Sequence, residues 1–402
     1  MAALLLALAP ASVAAAEPHV TRRANTELRE GPGSYYPLLG VLPEGTPVRV
    51  RKAKDGWVNV GLGAKGASGW LSKHALAAKA GRTDLKALRL DAPVAPASPA
   101  SVSAAVRGFA LRYGRGGDRA VDGLLGAGGL ALTAVELEEF RAQLARPRAS
   151  DYEQLAALSP ELWQPYETPL SEEGIGLGIA ARVASEGLAR DPRLVRYVQL
   201  VGTVLAEASP AYDRAFRFYV LQTPRLLAAS APGGHVFVSR GLIAACEDEA
   251  ELAAVLAHEL AHVARRHGLG ELGKRTLALR AEAAQAELDR ETGGGDAEEA
   301  ELTEFASTAY DSVHKPRLLD YELEADRVAA LVLARAGYDT GGLPRMIERV
   351  GRKAAGENAD NPFTQVDFTR RAEAARTLLA ALPKLRGATA AARFNAKKPG
   401  GP

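Results

Sequence analysis

Ala257-His258-Glu259-Leu260-Ala261-His262-Val263 lies inside Ala250–His267, a stretch that reads as a single helix. Asp248 stands where an N-cap belongs and Gly268 where a C-terminal glycine belongs. Acids (Glu247, Asp248, Glu249, Glu251) crowd the first turn and Arg265 and Arg266 the last, which suits the helix dipole. Residues four apart share a helix face, so His258 and His262 can hold one metal ion together, with Glu259 placed to act on water at that ion. With seven histidines in 402 residues, the three fixed letters are expected by chance in roughly one chain in a hundred.

Two histidines do not complete a catalytic zinc site, which has three protein ligands and one open position. Asp320-Tyr321-Glu322-Leu323-Glu324-Ala325-Asp326 offers the best further donor. Glu322 and Asp326 are four apart and share a face of an expected helix, so Glu322 is the candidate ligand, with Asp326 beside it and Glu324 pointing elsewhere.

The remainder of the chain places this pair of helices in a larger frame. A hydrophobic content of 47% and a charged content of 24% are those of globular domains. A net charge of +2 gives no case for nucleic acid or an acidic membrane surface. Cys246 is the only cysteine, so no intrachain disulfide forms; it reads as a small buried hydrophobe, not a catalytic thiol. Residues 1–16 are apolar and end Val13-Ala14-Ala15-Ala16, as a secretory signal does, so an exported location, periplasmic or extracellular, is expected. No other run is long and apolar enough for a transmembrane helix.

Residues 20–78 read as short strands and turns, with Val48 and Val50 alternating with Arg49 and Arg51. Residues 79–102, rich in Pro, Ala and Ser from Asp91 to Ser101, read as a linker, and 103–165 as a helical spacer with a capping-box pattern at Thr133–Glu136. Residues 170–385 carry long helices at Gly174–Leu188 and Arg193–Ser209 and strands at Phe216–Gln222 and His235–Ser239. Glu271–Arg290 and Ala297–Ser312 read as charged helices, and residues 387–402 as a disordered tail. The fold class expected is multidomain: a small all-β unit followed by a mainly α, α+β unit that bears the metal site.

Two resemblances sharpen this reading. Leu28-Arg29-Glu30-Gly31-Pro32-Gly33, Tyr36-Pro37, Gly56-Trp57 and Gly69-Trp70-Leu71 resemble a bacterial SH3-type domain, an SH3-like barrel, which implies a cell-wall or peptide ligand. Trp57 and Trp70 are equally well read as core. His258-Glu259-x-x-His262 with Glu322-x-x-x-Asp326 resembles the zincin-type, gluzincin-like zinc metallopeptidases of the HtpX and CAAX prenyl protease family, in particular its soluble periplasmic BepA-type members. Tyr197-Val198, Gly202, Pro232-Gly233-Gly234-His235-Val236-Phe237-Val238, Arg240-Gly241-Leu242 and Asp248-Glu249 carry the same resemblance.

The resemblance implies one zinc ion bound by His258, His262 and Glu322, Glu259 as the catalytic base, and Asp326 as an acid that orients a ligand histidine or assists proton transfer. It also implies that His235, Val236, Phe237 and Val238 pair with an extended protein or peptide substrate. Two segments depart from the family pattern. Leu227-Ala228-Ala229-Ser230 stands in place of Asn-Ala-Phe-Ala, and Thr364-Gln365-Val366 in place of Thr-His-Pro. Arg371 keeps its spacing and either serves the site or forms a surface or core salt bridge.

The expected activity is zinc-dependent hydrolysis of peptide bonds in misfolded or unassembled envelope proteins. A non-catalytic zinc-stabilised chaperone or adaptor is the alternative, and a wall hydrolase a third. His267 is expected to cap the metal helix or pack beside it, and His235 to line the cleft or to face solvent from its strand; His19, His74 and His314 have no partner at ligand spacing.

Overall fold

A computed structural model describes residues 18–78, 132–155, 176–268, 319–354, 367–382 and 385–399, less a few positions within the first three stretches, together with Leu124. It divides into two compact units, residues 1–90 and 91–402. The signal-like segment, the linker and the two charged helices expected after residue 270 lie outside the described residues.

The first unit is one antiparallel sheet in the order β3-β2-β6-β5-β4-β1-β7. Its strands are β1 (Pro18–Thr21), β2 (Thr26–Arg29), β3 (Leu38–Leu42), β4 (Pro47–Lys54), β5 (Trp57–Gly61), β6 (Ser68–Ser72) and β7 (Leu76–Ala78). The period-two pattern of β4 puts Val48 and Val50 inward and Arg49 and Arg51 outward. Val48 packs with Leu28, Val58, Val60 and Leu71. Trp57 and Trp70 are both buried, as a core reading requires.

The second unit is mainly helical around a three-stranded sheet. Its elements are α1 (Ala134–Arg141), α2 (Pro192–Ala208), β8 (Arg217–Leu221), β9 (Ala228–Ala231), β10 (His235–Ser239), α3 (Arg240–Ala245), α4 (Glu249–Ala264), α5 (Leu319–Ala336), α6 (Gly342–Ala354), α7 (Phe368–Ala381) and α8 (Ala391–Asn395). Pro192 opens α2 behind Asp191, whose side chain accepts from the Arg193 and Leu194 amides. The helix packs on β8 at Gly202, where a Cβ would stand 2.4 Å from the Phe218 ring. Leu137, Phe140, Leu144 and Leu155 join the same core as α2 and α4, so the described part of 103–165 packs into this unit and does not stand apart from it.

The sheet order is β8-β10-β9, with β10 parallel to β8 and antiparallel to β9. This corrects the substrate-strand expectation for His235, Val236, Phe237 and Val238. Each of them is paired on both sides, His235 with Arg217 and Ala231, for example, so their strand has no free edge for a peptide. Strand β9 was not expected from the sequence. Alanine and serine have weak strand preference, and it is pairing to β10 that makes the segment a strand.

Every residue of α4 from Glu249 to Val263 is buried. Its alanines at 250, 253, 254, 257 and 261 are all at or near zero exposure and let α2, α5 and the sheet approach closely. The helix N-terminus is fixed by Asp248, which accepts from the Glu251 amide at 2.9 Å. The C-terminus differs from expectation: the helix ends at Ala264, and the left-handed residue is Arg266 (φ 58°), not Gly268.

The disordered-tail expectation for 387–402 is also corrected. Phe394 on α8 is fully buried in the main core, and the Thr389 carbonyl accepts from the Glu249 and Ala250 amides at the start of α4. Arg393 donates to the buried Glu249 carboxylate, which Tyr197 and Tyr338 also donate to, at 2.7 and 2.8 Å. Alanine- and lysine-rich composition suggested a tail, but one aromatic and one arginine anchor it.

Candidate metal centre

The two imidazoles of α4 face α5, which packs along it. His258 Nε2 and His262 Nε2 stand 3.0 Å apart, and the Glu322 carboxylate lies 3.3 Å from each, through Oε2 and Oε1 respectively. Two donors each bonded to a tetrahedral zinc at about 2.0–2.1 Å lie about 3.3 Å from one another. The two ring nitrogens and the carboxylate, which turns one oxygen toward each ring, are therefore spaced closely enough for all three side chains to reach one ion. His258, His262 and Glu322 form a cluster that could hold a metal ion, and all three are buried.

Glu259 follows His258 on the same helix and is 7% exposed. Its Oε2 is buried with no hydrogen-bond partner among the described residues. A buried carboxylate oxygen left unpaired costs stability and is accounted for where function needs it open.

A set of buried side chains holds the three candidate ligands. Asp326, one turn beyond Glu322 on α5, meets His258 Nδ1 at 2.8 Å. With Nδ1–H committed to this carboxylate, the Nε2 lone pair is left to face the centre. Arg371 on α7 grips Asp326 with two bonds, Nε to Oδ2 and Nη2 to Oδ1, each 2.8 Å, and its Nη1 reaches Glu322 Oε2 at 2.8 Å. Arg371 thus forms a core salt bridge, and its partners are the two acids that contact His258.

Electrostatics follow from this packing. Burial pushes Asp326 and Glu322 toward the neutral form, but the Arg371 guanidinium, with His258, outweighs it and holds both carboxyls below their ordinary range. Burial and Arg371 push the His258 imidazole down, and Glu322 and Asp326 outweigh them, raising it to about 9. A proton and a metal ion would therefore compete for His258 Nε2.

The sequence points Glu324 away from Glu322 on the helix, and its carboxylate lies outside the cluster of His258, His262 and Glu322. It accepts from Arg265 Nε at 2.6 Å and meets His267 Nε2 at 3.1 Å. His267, expected to cap or pack, is buried with its Nδ1 2.8 Å from His262 Nδ1.

His235, expected to line the cleft, is instead interior. It is 5% exposed, stacks on Tyr219, and places Nδ1 3.2 Å from the Tyr219 hydroxyl. Burial, aided by Arg217, lowers it to about 3, so it is neutral. Cys246 is buried with its thiol directed at the Leu242 carbonyl, and burial raises it well above the ordinary thiol range. It behaves as the small core residue its setting predicted.

Comparison with known families agrees with both units. The model for peptidase family M48 matches residues 192–379, and the model for the bacterial SH3 domain matches residues 24–77. The chain is 30% identical over 167 residues to a putative beta-barrel assembly-enhancing protease of Vibrio cholerae, covering 40% of this chain and 33% of that one. It is 27% identical over 181 residues to the beta-barrel assembly-enhancing protease of Escherichia coli, covering 41% and 34%. It is 29% identical over 155 residues to the mitochondrial metalloendopeptidase OMA1 of Schizosaccharomyces pombe, covering 38% and 43%. The chain thus matches less than half the length of each of these relatives. Among the described residues no helix is long and apolar enough to cross a membrane.

Proposed function

Because the chain carries a peptidase family M48 domain joined to a bacterial SH3 domain, we propose that it is a zinc-dependent endopeptidase exported to the cell envelope, acting on misfolded or unassembled proteins there. The observation that carries this reading is the convergence of His258 Nε2, His262 Nε2 and the Glu322 carboxylate beside Glu259, whose Oε2 has no hydrogen-bond partner among the described residues. The names of the similar proteins support the envelope setting, and the SH3 domain supplies a wall or peptide contact that would keep the enzyme near its substrates.

His258, His262 and Glu322 would hold the ion. When bound, zinc supplies Lewis-acid chemistry, acidifying water and drawing electron density from a carbonyl oxygen. Glu259 Oε2 accepts the proton of the attacking water and later returns it to the departing amine nitrogen. Asp326 and Arg371 keep His258 from rotating, and Arg371 keeps Glu322 ionised. An extended peptide finds its strand partner at β9, which ends the sheet among the described residues and packs against α4, and not at β10.

Glu259→Gln tests the assignment. It should bind zinc as wild type does, by metal analysis, and cleave casein at least about a hundred-fold more slowly. Casein cleavage at the wild-type rate would remove Glu259 from the mechanism. A wild-type protein that binds zinc and unfolded polypeptide but cuts nothing would make this a chaperone or adaptor.

A further inference from the structure

His262 differs from His258 in what stands behind it. His258 rests on a carboxylate directly, whereas His262 rests on a second histidine. His262 Nδ1 and His267 Nδ1 are 2.8 Å apart, and His267 Nε2 is 3.1 Å from Glu324 Oε2. Arg265 Nε fixes the other oxygen of Glu324 at 2.6 Å. The Tyr321 ring stacks on His267 with centroids 4.6 Å apart and planes 14° from parallel, which leaves the imidazole little freedom.

This contact is not a product of helical repetition. Five residues advance about 500° around a helix, so residues 262 and 267 of a continuous helix would point well apart. The chain instead leaves the helix at Arg265 and turns through Arg266 at φ 58°, which carries the His267 ring back onto His262. A non-glycine residue in that region carries a conformational cost, and here the surrounding contacts hold it there.

The direction of the bonds is fixed by what His262 must do. A metal-facing Nε2 has its lone pair free, so Nδ1 carries the hydrogen and donates. His267 Nδ1 must then accept, so its own hydrogen sits on Nε2 and is donated to the Glu324 carboxylate. Two N–H donors thus run in sequence from the ligand to an anion. Anionic character at the far end makes His267 a better acceptor, and that makes His262 a better electron donor at Nε2.

We propose that His267 and Glu324 are positioning residues that set the tautomer and donor strength of His262, so that metal affinity depends on a histidine that never touches the ion. This rests on the metal-site reading above.

The test is zinc affinity by chelator competition in the full chain, with thermal unfolding of the metal-free proteins alongside. His267→Phe keeps a ring to stack on Tyr321 and removes both nitrogens. It should weaken zinc binding about ten-fold or more, with metal-free unfolding close to wild type. His267→Asn places an amide oxygen near the position of Nδ1 and should recover most of that loss. Zinc affinity of His267→Phe within about two-fold of wild type overturns the proposal, as does equal loss in the Phe and Asn variants. Should His267→Phe not fold, Glu324→Gln decides: it keeps shape and removes the anion, and unchanged zinc affinity there overturns the proposal as well. Absence of zinc binding by the wild type would instead refute the metal centre itself, which separates the two failures.

Discussion

Replacing Arg371 with methionine removes the cation that two buried carboxylates share. Arg371 is 4% exposed, and Asp326 and Glu322 are 2% and 6% exposed, so no solvent stands ready to replace the guanidinium. Deleting one partner of a buried ionic group costs about 3–5 kcal/mol, because the charge left behind has lost its solvation in both places. At about 2–4 °C per kcal/mol for a unit of this size, the metal-free protein should unfold roughly 10 °C lower than wild type at neutral pH. The loss must also depend on pH in a specified direction. Burial favours the neutral acids and Arg371 outweighs it, so both folded-state pKa values lie below the unfolded ones. Groups of that kind stabilise the fold above the unfolded carboxylate range near ~4 and lose the contribution as pH falls through their folded values. The gap between wild type and Arg371→Met should therefore be full at pH 7 and close as acid is added. Arg371→Lys keeps a charge but lacks the fork that holds Asp326 at two points, and should fall between the two. Denaturant melts of the three metal-free proteins from pH 3.5 to 7 (roughly the span in which carboxyls titrate) decide it. A loss under about 1 kcal/mol, or a gap that stays constant with pH, would mean that Arg371 fills space and does not balance charge.

His235 titrates in the opposite sense to His258, being held neutral at about 3 by burial. Between its ordinary value of ~6.5 and that value the unfolded chain takes up a proton that the fold refuses, so wild type should lose about 1.5 kcal/mol more than His235→Phe between pH 6.5 and 5. Parallel pH profiles for the two proteins would exclude this. Phe394→Ala should cost about 3–5 kcal/mol in chemical denaturation, since the ring is wholly buried in the main core; a cost near zero would return residues 387–402 to the status of a tail. Arg266→Gly relieves a left-handed residue that is exposed and should leave stability unchanged or raise it by up to about 1 kcal/mol in the same assay; a clear loss would show that the arginine side chain, and not its backbone, matters.

The candidate metal centre was legible where its contacts repeat with the helix. His258 and His262 are four apart on α4, Glu322 and Asp326 four apart on α5, and spacing alone puts each pair on one face. Arg371 was only partly legible, because nothing local in α7 says which buried acid an arginine 45 residues beyond Asp326 will reach. Strand β10 was found by its β-branched and aromatic residues, but its place in the sheet was not, because that depends on β9, whose alanines and serine carry almost no strand signal. The contact from His267 to His262 was the least legible. Helical periodicity argues against it, and the left-handed turn that makes it falls on an arginine two residues before the glycine that sequence would choose. The lesson is physical. Spacing predicts contacts made within one regular element, and the departures from it here are of three kinds: an ion pair between distant helices, strand pairings settled by a neighbour, and a left-handed backbone turn at a non-glycine residue. All three touch α4, the helix on which two of the three candidate ligands stand, or its direct neighbours.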